Sequence, residues 1–486
     1  MKLARHLAGY LPANLASALA SFGAVYVFTR LLGPEEYGRY ALMLSVMALI
    51  HTLTLAPGEA AAYRYTAKAR AESERALAEH FATVRALLLR SLLLAALAMV
   101  ALAAAVSHMP RYLQILPWIA LSMPIGTLVQ ATLEAHRASQ QVQRYVAVYS
   151  FKLLGGFAIG AVIAWLTDAG AAAPFMGLVV AGLIVGIPQL FWLQKQAKGA
   201  SPRADKIRAY YAYGLPIAAA LSLDLLLSVA DRFLISLFIG EAAVGAYAAG
   251  YGVADKTILL LCAWAAMAGQ PLVLAAFEEE GPEAARREAS GLVSTMMLIG
   301  LPAAMGLALV AEPLSEALIG EDLREQAARI IPWIAFAGLM NGLLMHYYVE
   351  AFQLAQKTGE QALLMLIPAG VNIVANLILI PQFGIIGAVA ATIASYVIGI
   401  LVIAGRGRRY IAFPFPVLPV LKILVASLAM WPAIAIIPEF GGWPELIAKA
   451  IAGAIVYAAA ALAIDAGGAR SFVQDRLNAS TEPPAT

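Results

Sequence analysis

Ionisable residues inside long apolar segments carry the most informative chemistry in this sequence. The segment Leu223–Arg232 places Asp224, Ser228 and Asp231 on one helical face and ends with Arg232. A charged side chain at the centre of a lipid bilayer costs about 2.5–3.5 kcal/mol on insertion scales. We therefore expect these groups to face a hydrated cavity or one another. For Asp231 and Arg232, the alternative is a structural ion pair at the end of the helix.

The next apolar segment repeats this pattern. Tyr247, Tyr251 and Asp255 are spaced four residues apart on one helical face, and Lys256 follows directly. Neighbouring residues on a helix point about 100° apart, so Asp255 and Lys256 cannot face the same partner in the same way. The pattern predicts that Asp255 and Lys256 line a cavity, and a structural Asp–Lys pair is the alternative.

Three further residues are candidates for ligand contact. Arg30 shares a helical face with Tyr26, and its guanidinium is suited to bidentate contact with phosphate, or else to anchoring at the outer interface. Arg64, at the inner end of an apolar segment, is placed to meet an anionic headgroup or is an ordinary cytoplasmic arginine. Glu350, near His346, is a candidate for binding a cation.

Composition identifies the class of protein that must position these residues. Of the 486 residues, 62% are hydrophobic and 13% are charged, and the mean hydropathy is +0.78, whereas soluble domains have about 25% charged residues. This is a polytopic membrane protein. Cys262 is the only cysteine, so an intramolecular disulfide and a cysteine metal cluster are excluded.

Several function classes are disfavoured by what the sequence lacks. It has no Gly-x4-Gly-Lys-Ser/Thr loop for ATP hydrolysis, no metal-ligand spacing among its histidines, and no segment basic enough to bind nucleic acid. The outer loops are too short for the chemistry of a glycosyl polymerase. We predict no cofactor, no metal and no enzymatic activity.

Apolar runs of about 20 residues, long enough to cross a bilayer, predict an all-α fold of about fourteen transmembrane helices. In chain order the predicted spans 1 to 14 are Ala8–Leu32, Tyr40–Ala62, Ser91–Ser107, Tyr112–Thr132, Ser150–Thr167, Pro174–Gln194, Gly214–Ile239, Ala242–Leu261, Gly291–Ala311, Ile330–Phe352, Gln361–Ile380, Ile385–Ala404, Val417–Ile437 and Glu445–Ile464.

Loop charge predicts the orientation. One set of loops is basic, as in Arg64–Arg85, Arg137–Lys152 and Lys195–Arg208, and the other is short or acidic, as in Glu312–Glu325. The positive-inside rule places the basic loops in the cytoplasm, and an even number of spans places both termini there. On this assignment, the Lys and Arg residues within spans are Arg30, Arg232 and Lys256.

An internal repeat divides the chain. Leu32–Ala41 aligns with Ile239–Ala248 at a shift of 207 residues, with identities at Gly33/Gly240, Gly38/Gly245, Tyr40/Tyr247 and Ala41/Ala248. The same shift aligns Pro174–Gly177 with Pro381–Gly384, and we expect all four elements to lie at outer turns. Such symmetry is common in transporters. It predicts a six-helix lobe (1–194), a cytoplasmic linker (195–213), a second six-helix lobe (214–404), a loop with helices 13 and 14 (405–465), and a cytoplasmic tail (466–486).

These motifs resemble those of a known family. Thr29–Gly38, Asp231–Phe233 leading to Val244–Tyr247, and Pro381–Ala388 are similar to elements of the polysaccharide-export flippases, the O-antigen flippase group of the multidrug/oligosaccharidyl-lipid/polysaccharide (MOP) superfamily. The elements occur in the right order along nearly the whole chain.

The resemblance implies two lobes in a V around a central cationic cavity. It implies a flippase that moves an undecaprenyl-pyrophosphate-linked oligosaccharide from the cytoplasmic to the outer leaflet of a bacterial inner membrane, for O-antigen, exopolysaccharide or capsule assembly. Expected partners are that lipid-linked oligosaccharide, membrane lipids, a polysaccharide polymerase and other assembly proteins, with no nucleic acid.

The candidate residues fit the resemblance in two groups. Pyrophosphate needs cationic partners, for which Arg30, Arg232, Lys256 and Arg64 are candidates, with Tyr247 and Tyr251 beside them. The acidic residues that are candidates for coupling turnover to proton or sodium movement are Asp224, Asp231, Asp255 and Glu350.

Three alternatives stay open. Fourteen spans resemble the lipid II flippases of the same superfamily, in which the extra helix pair forms a groove for the lipid tail. A cation-coupled multidrug antiporter would need an acidic and aromatic cavity. A scaffold of an assembly complex would leave the intramembrane charges dispensable.

Overall fold

The computed structural model describes residues 2–470, except the side chains of residues 2–10, 220, 223, 224, 227 and 228. Every secondary-structure element in the described range is a helix. In chain order the α-helices are α1 (Lys2–Leu31), α2 (Gly33–Thr54), α3 (Ala56–Glu72), α4 (Glu74–Ala105), α5 (Pro110–Ala138), α6 (Val142–Ser150), α7 (Gly156–Leu166), α8 (Ala173–Gln196), α9 (Ala204–Phe238), α10 (Glu241–Glu280), α11 (Pro282–Leu309), α12 (Ala311–Leu318), α13 (Glu321–Leu343), α14 (Glu350–Leu354), α15 (Thr358–Phe383), α16 (Ile385–Gly407), α17 (Val417–Leu428), α18 (Met430–Ala435) and α19 (Gly442–Ala463). Short π-helical turns occur at Phe151–Gly155 and Leu344–Tyr348, and 3₁₀ turns at Gly170–Ala172 and Ala466–Gly468.

The helices confirm the predicted membrane-spanning architecture. Within the described residues, twelve helical segments are long and apolar enough to cross a bilayer, and the bent pair α2–α3 is a further candidate. Helix α9, with 35 residues, covers predicted span 7. Each of the fourteen predicted spans therefore coincides with a helical segment, and the chain is a multi-pass membrane protein.

Two predicted boundaries differ from the structure because polar residues continue the helices beyond the apolar core. The loop predicted at Arg64–Arg85 is a helical hairpin, whose turn at Ser73 separates α3 from α4. The Ser73 side chain caps α4 by accepting a hydrogen bond from the Ala76 amide at 3.0 Å. Likewise α10 continues 19 residues past the predicted end of span 8 at Leu261, to Glu280.

Span 2 is bent, which the sequence analysis did not predict. Helices α2 and α3 meet at Leu55 with an angle of 53° between them. Pro57 follows directly, buried in the first turn of α3. Proline has no amide hydrogen and its ring clashes with the preceding turn, so a bend at this place follows from the sequence.

The contacts divide the chain into two units. The first comprises residues up to Phe233 together with Gly240–Gly245, and the second comprises Leu234–Ile239 together with residues from Ala246 onward. The first residues of α10 thus belong to the first unit. The lobe boundaries given by the repeat stay a prediction.

The first repeated element has the same backbone role in both copies. Gly33, the first residue of α2, and Gly240, which directly precedes α10, have φ angles of +71° and +123°, a region that favours glycine. Gly38 packs so closely on the start of α10 that a side chain there would collide with the carbonyl of Glu241 and approach the amide of Gly245. The two copies therefore contact each other inside the first unit.

A buried arginine joins these copies. Arg39 is only 3% exposed and donates hydrogen bonds to Glu241 at 2.6 Å, to Glu35 at 2.8 Å and to Glu36. Tyr112 donates a further hydrogen bond to Glu241 at 2.6 Å. This group, called the outer clamp below, fixes α5 and the starts of α2 and α10 at the predicted outer end of the first unit.

The second repeated element does not have one common role. Pro174 begins α8, and Gly177 packs inside that helix against Gly160 of α7. By contrast, Pro381–Gly384 ends α15, and Gly384 has a φ of +61° between α15 and α16. The expectation that both Pro-x-x-Gly elements lie at turns is therefore wrong for the first copy. Gly387 makes the close helix contact in the second.

Further cations lie inside helices: one directly precedes predicted span 2, and two lie within predicted spans 5 and 14, where the sequence analysis did not count them. Arg39 lies in α2, Lys152 in the π-helical turn before α7, and Lys449 in α19, where it pairs with Glu445 at 2.5 Å. Arg30, Arg232 and Lys256 are therefore not the full set of basic residues within the spans.

Candidate functional site

Arg30 lies at the end of α1 with its side chain folded back on its own helix. The guanidinium lies 4.0 Å from the centre of the Tyr26 ring and donates to the Tyr26 carbonyl at 2.8 Å. Both residues are exposed. A cation–π contact of this kind orients the charge.

The predicted group on span 7 is described in part. The side chains of Asp224 and Ser228 lie outside the described residues. Asp231 is buried, and its Oδ1 accepts a hydrogen bond from the Arg232 amide at 2.8 Å. Arg232 is partly buried and donates from Nη1 to Ser45 Oγ of α2 at 3.0 Å. Arg232 thus connects α9 to α2 within the first unit.

The group on span 8 lies in the second unit and is split between interior and surface. The rings of Tyr247 and Tyr251 are 5.6 Å apart and both residues are buried, as is Asp255. Lys256 is exposed. The predicted divergence of Asp255 and Lys256 is therefore present in the structure.

Close helix packing explains how Asp255 is placed. Helix α13 carries Gly338 and Gly342 four residues apart, a spacing that lets helices approach closely in membranes. A Cβ at Gly338 would lie 3.4 Å from Asp255 Oδ1, and one at Gly342 would lie 2.5 Å from Cys262 Sγ. The small residues of α13 thus accommodate this face of α10.

Glu350 begins α14 in the second unit, directly after the π-helical turn, and is buried. The neighbouring Tyr347 donates a hydrogen bond from its hydroxyl to the Pro414 carbonyl, which ties this turn to the segment after α16. The roles of Arg30, Arg232, Lys256, Asp255 and Glu350 in binding stay predictions.

Arg64 lines an open cavity of about 590 Å³ in the first unit, which we call the basic groove. The residues that line the basic groove are Asn14, Tyr63, Arg64, Ala67, Arg137, Ala138, Gln140 and Tyr145. They come from α1, α3, α5, α6 and the turn between α5 and α6, at the end of the unit that the loop charges assign to the cytoplasm. Of the predicted substrate residues, Arg64 is the one that this cavity contains.

The second arginine of the groove, Arg137, was not predicted as a site residue. Its guanidinium lies 4.4 Å from the centre of the Tyr63 ring and 3.5 Å from a carboxylate oxygen of Glu134. It is positioned by the tight turn between α5 and α6, in which Gln140 has a φ of +57°. Only the fold brings Arg137 beside Arg64, since the two are 73 positions apart.

The lining of the groove has a clear charge preference. It contains two arginines and no carboxylate, and Arg70 and Arg144 are close enough to act electrostatically on the neighbouring His136. Guanidinium groups bind phosphate oxygens in a bidentate manner. The groove is therefore suited to an anion with several oxygens.

A cavity in the second unit has a lining of mixed charge. It has a volume of about 760 Å³ and carries both signs of charge. Its charged lining residues are Glu312, Glu316, Arg324, Glu325, Arg329, Glu439 and Lys449. With four carboxylates, this cavity has no preference for an anionic ligand.

Comparison with known proteins decides the family. The sequence model of the family described as "Polysaccharide biosynthesis protein" matches residues 27–328, more than half of the chain. The chain belongs to this family. The predicted resemblance to the polysaccharide-export flippases of the MOP superfamily is thereby confirmed. No curated protein sequence matches significantly.

Solved structures place this polysaccharide biosynthesis protein in the MOP-type transporter fold. The lipid II flippase MurJ, in an inward closed conformation, is similar over 95% of this chain and 98% of its own, with a TM-score of 0.73 and 14% identity. An inward-facing multidrug resistance MATE family transporter of the MOP superfamily is similar over 81% of this chain and 94% of its own, with a TM-score of 0.61 and 14% identity. At such identities the likeness concerns the fold, which is that of membrane transporters.

Proposed function

We propose that this protein is a flippase for an oligosaccharide linked to undecaprenyl pyrophosphate, moving it from the cytoplasmic to the outer leaflet of a bacterial inner membrane by alternating access. The proposal includes cytoplasmic termini and action together with polysaccharide assembly proteins. Family membership and transporter fold support the general class of function. The observation that carries the finer proposal is the basic groove.

The chemistry of the groove fits the head of such a lipid. A pyrophosphate carries several anionic oxygens, and Arg64 and Arg137 can each donate two parallel hydrogen bonds to them. Tyr63 and Tyr145 provide aromatic faces and hydroxyl groups beside the arginines, suited to a sugar. The volume of about 590 Å³ lies within the usual range for small-molecule sites, about 300–1,000 Å³.

The remaining predicted residues extend this proposal. Arg30, Arg232 and Lys256 are proposed as further cationic contacts along the path of the pyrophosphate, with Tyr247 and Tyr251 near Lys256. Asp224, Asp231, Asp255 and Glu350 are proposed as ion-coupling groups. Of these, Asp231, Asp255 and Glu350 are buried, as groups that exchange an ion with a gated cavity require.

The test replaces the groove arginines in a strain that lacks the native gene. Losing one hydrogen-bonded charge contact costs about 1.5–3 kcal/mol, so Arg64→Ala and Arg137→Ala should each weaken substrate binding about tenfold to a hundredfold. We expect undecaprenyl-linked glycan to accumulate in the membrane while surface polysaccharide falls, at unchanged protein level.

Lys68→Ala is the matched control, because Lys68 is an exposed cation on α3 that does not line the groove. Normal surface glycan in the Arg64→Ala/Arg137→Ala double variant would remove the groove from the mechanism. Accumulation of lipid II with normal polysaccharide precursors would instead indicate a lipid II-type flippase. A lipid II-type flippase is the second candidate. The match to MurJ covers 95% of this chain, and the uncovered residues are fewer than α17 to α19 contain. Part of the C-terminal helix pair is therefore matched as well.

A further inference from the structure

Two ionisable residues of the first unit bridge the bend of span 2. His51 lies in the last turn of α2 and Glu59 in the first turn of α3. Their closest atoms, Nε2 and Oε1, are 2.9 Å apart. A cation is favoured at the end of a helix and an anion at its start, so the two helix ends at the bend stabilise a His⁺–Glu⁻ pair in this order.

Glu59 has little access to solvent and depends on this partner. The residue is 9% exposed, and Oε1 is fully buried and accepts no hydrogen bond, since its contact with His51 lacks hydrogen-bond geometry. A buried carboxylate is costly unless an opposite charge compensates it. The His51 side chain is 32% exposed, so it can exchange a proton with water.

The other charged groups near Glu59 form a balanced set on α5 and the start of span 5. Glu59 acts electrostatically on Lys152 and on Glu134. Lys152 Nζ is 3.5 Å from Gln130 Oε1, Gln130 donates to Glu134 at 3.1 Å, and Arg137 pairs with Glu134 at 3.5 Å. Two carboxylates, Glu59 and Glu134, thus lie near the basic side chains of Lys152 and Arg137, and the proton on His51 adds a further positive charge.

On the other side of the bend, α9 packs Gly214 against the backbone of Pro57, and α4 packs apolar side chains. Helix α4 presents Leu87 and Leu88 to the backbone of Gly58. Farther along α3, the buried His80 of α4 contacts the Thr66 hydroxyl at 3.0 Å and the Tyr210 hydroxyl at 2.7 Å. His80 is therefore another histidine whose titration would act on α3, and a test must separate it from His51.

We propose that His51 and Glu59 form a proton-binding site that controls the bend of span 2. With the proton on His51 the pair is ionic and holds α2 and α3 in the 53° arrangement. Without it, His51 is neutral, Glu59 is left to Lys152, and the bend relaxes toward a straighter helix. Histidine changes charge in the physiological pH range.

A proton fits this site better than a metal ion. No group of three or more His, Cys, Asp or Glu side chains in the described part of the chain is arranged to hold a metal. The proton site itself does not depend on the proposed function. Only the role of the bend as a coupling step in flipping rests on that function. The proposal assigns that step to the first unit, apart from the acidic residues of spans 7, 8 and 10.

The size of the expected movement follows from helix geometry. At 1.5 Å per residue, Glu35 lies about 30 Å before the bend and Arg70 about 22 Å after it. With 53° between the helices, these two positions are about 47 Å apart, and in a straight helix they would be about 52 Å apart. Relaxation should therefore lengthen the distance by up to about 5 Å.

The experiment measures this distance by electron–electron double resonance. Spin labels are attached to Glu35→Cys and Arg70→Cys in the full-length protein with Cys262→Ala, reconstituted in nanodiscs. The labels lie on α2 and α3, the two helices that meet at the bend, so movements between other parts of the molecule do not contribute. We expect the shorter distance at about pH 5.5 and the longer one at about pH 8.5, since histidine is the side chain that changes charge between mildly acidic and mildly basic solution.

Variants of the pair decide between a proton site and a passive bend. His51→Gln and Glu59→Gln should each give the longer distance at both pH values, whereas His80→Gln should keep the pH response of the parent. Equal distances at both pH values in the parent would overturn the proposal, and so would a persistent shift in His51→Gln. If one of the two pair variants fails to fold, the other provides the same test.

The distance measurement needs no lipid-linked substrate, so it is independent of the test of function. A pH-dependent bend in a protein that fails the groove test would leave the proton site standing without its role in flipping. If the groove variants lose function as expected while the label distance is the same at both pH values, only the proton site would be overturned.

Discussion

The outer clamp allows a stability prediction with a defined size. Arg39→Met keeps most of the side-chain volume and removes the charge that pairs with Glu35, Glu36 and Glu241. Breaking a buried ion pair usually costs about 3–5 kcal/mol, because an uncompensated charge remains. Here Glu241 is 24% exposed and keeps the hydrogen bond from Tyr112. We therefore expect the low end of that range, a loss of about 3 kcal/mol in the free energy of unfolding.

The assay is reversible unfolding in mixed detergent micelles with rising dodecyl sulfate, followed by circular dichroism. Arg111→Met is the matched control, because Arg111 pairs with the same Glu35 at 3.2 Å but is 64% exposed, and exposed pairs contribute about 0–1 kcal/mol. Adding Glu241→Gln to Arg39→Met should cost less than the two separate losses added together, since the residues share one interaction. Equal stability of Arg39→Met and Arg111→Met would refute the clamp.

Two further predictions concern packing. Gly38→Ala should prevent accumulation of folded protein, because its Cβ would collide with the Glu241 carbonyl. Gly126→Ala is the control: Gly126 has open space around it, so this substitution should be neutral or raise stability by up to about 1 kcal/mol. Size-exclusion profiles of the two variants check this prediction, and a normal profile for Gly38→Ala would contradict it. Cys262 is 1% exposed and packs against Gly342. Its thiol should therefore resist a membrane-permeant maleimide in the native protein and react fully after unfolding, as measured by mass spectrometry. Rapid labelling of the native protein would show that α10 and α13 separate.

The spans were predictable because their signal is local. An apolar run long enough to cross the bilayer needs no knowledge of its neighbours, and each predicted span has its helix. The close packing of Gly38, by contrast, depends on a contact partner some 200 residues away, so the repeat shows only that the residue recurs. Pro57 was a visible signal for the bend, but the angle depends on the helices packed around it.

The candidate site was predictable only in part, for the same reason. Arg64 was found from its place at the end of an apolar run. Arg137 was assigned to a loop, and only the turn at Gln140 brings it to the groove. His51 and Glu59 do lie inside predicted span 2, but they are eight residues apart, and on a straight helix that spacing does not bring their side chains together. The bend does.

The exchange of short segments between the two units has a consequence for how this protein can be divided. A fragment that ends at the predicted linker, before α9, would contain Arg39 without Glu241 and Gly38 without the backbone on which it packs. The first half of the internal repeat is thus an incomplete folding unit without the start of α10, although the sequence resembles a tandem duplication.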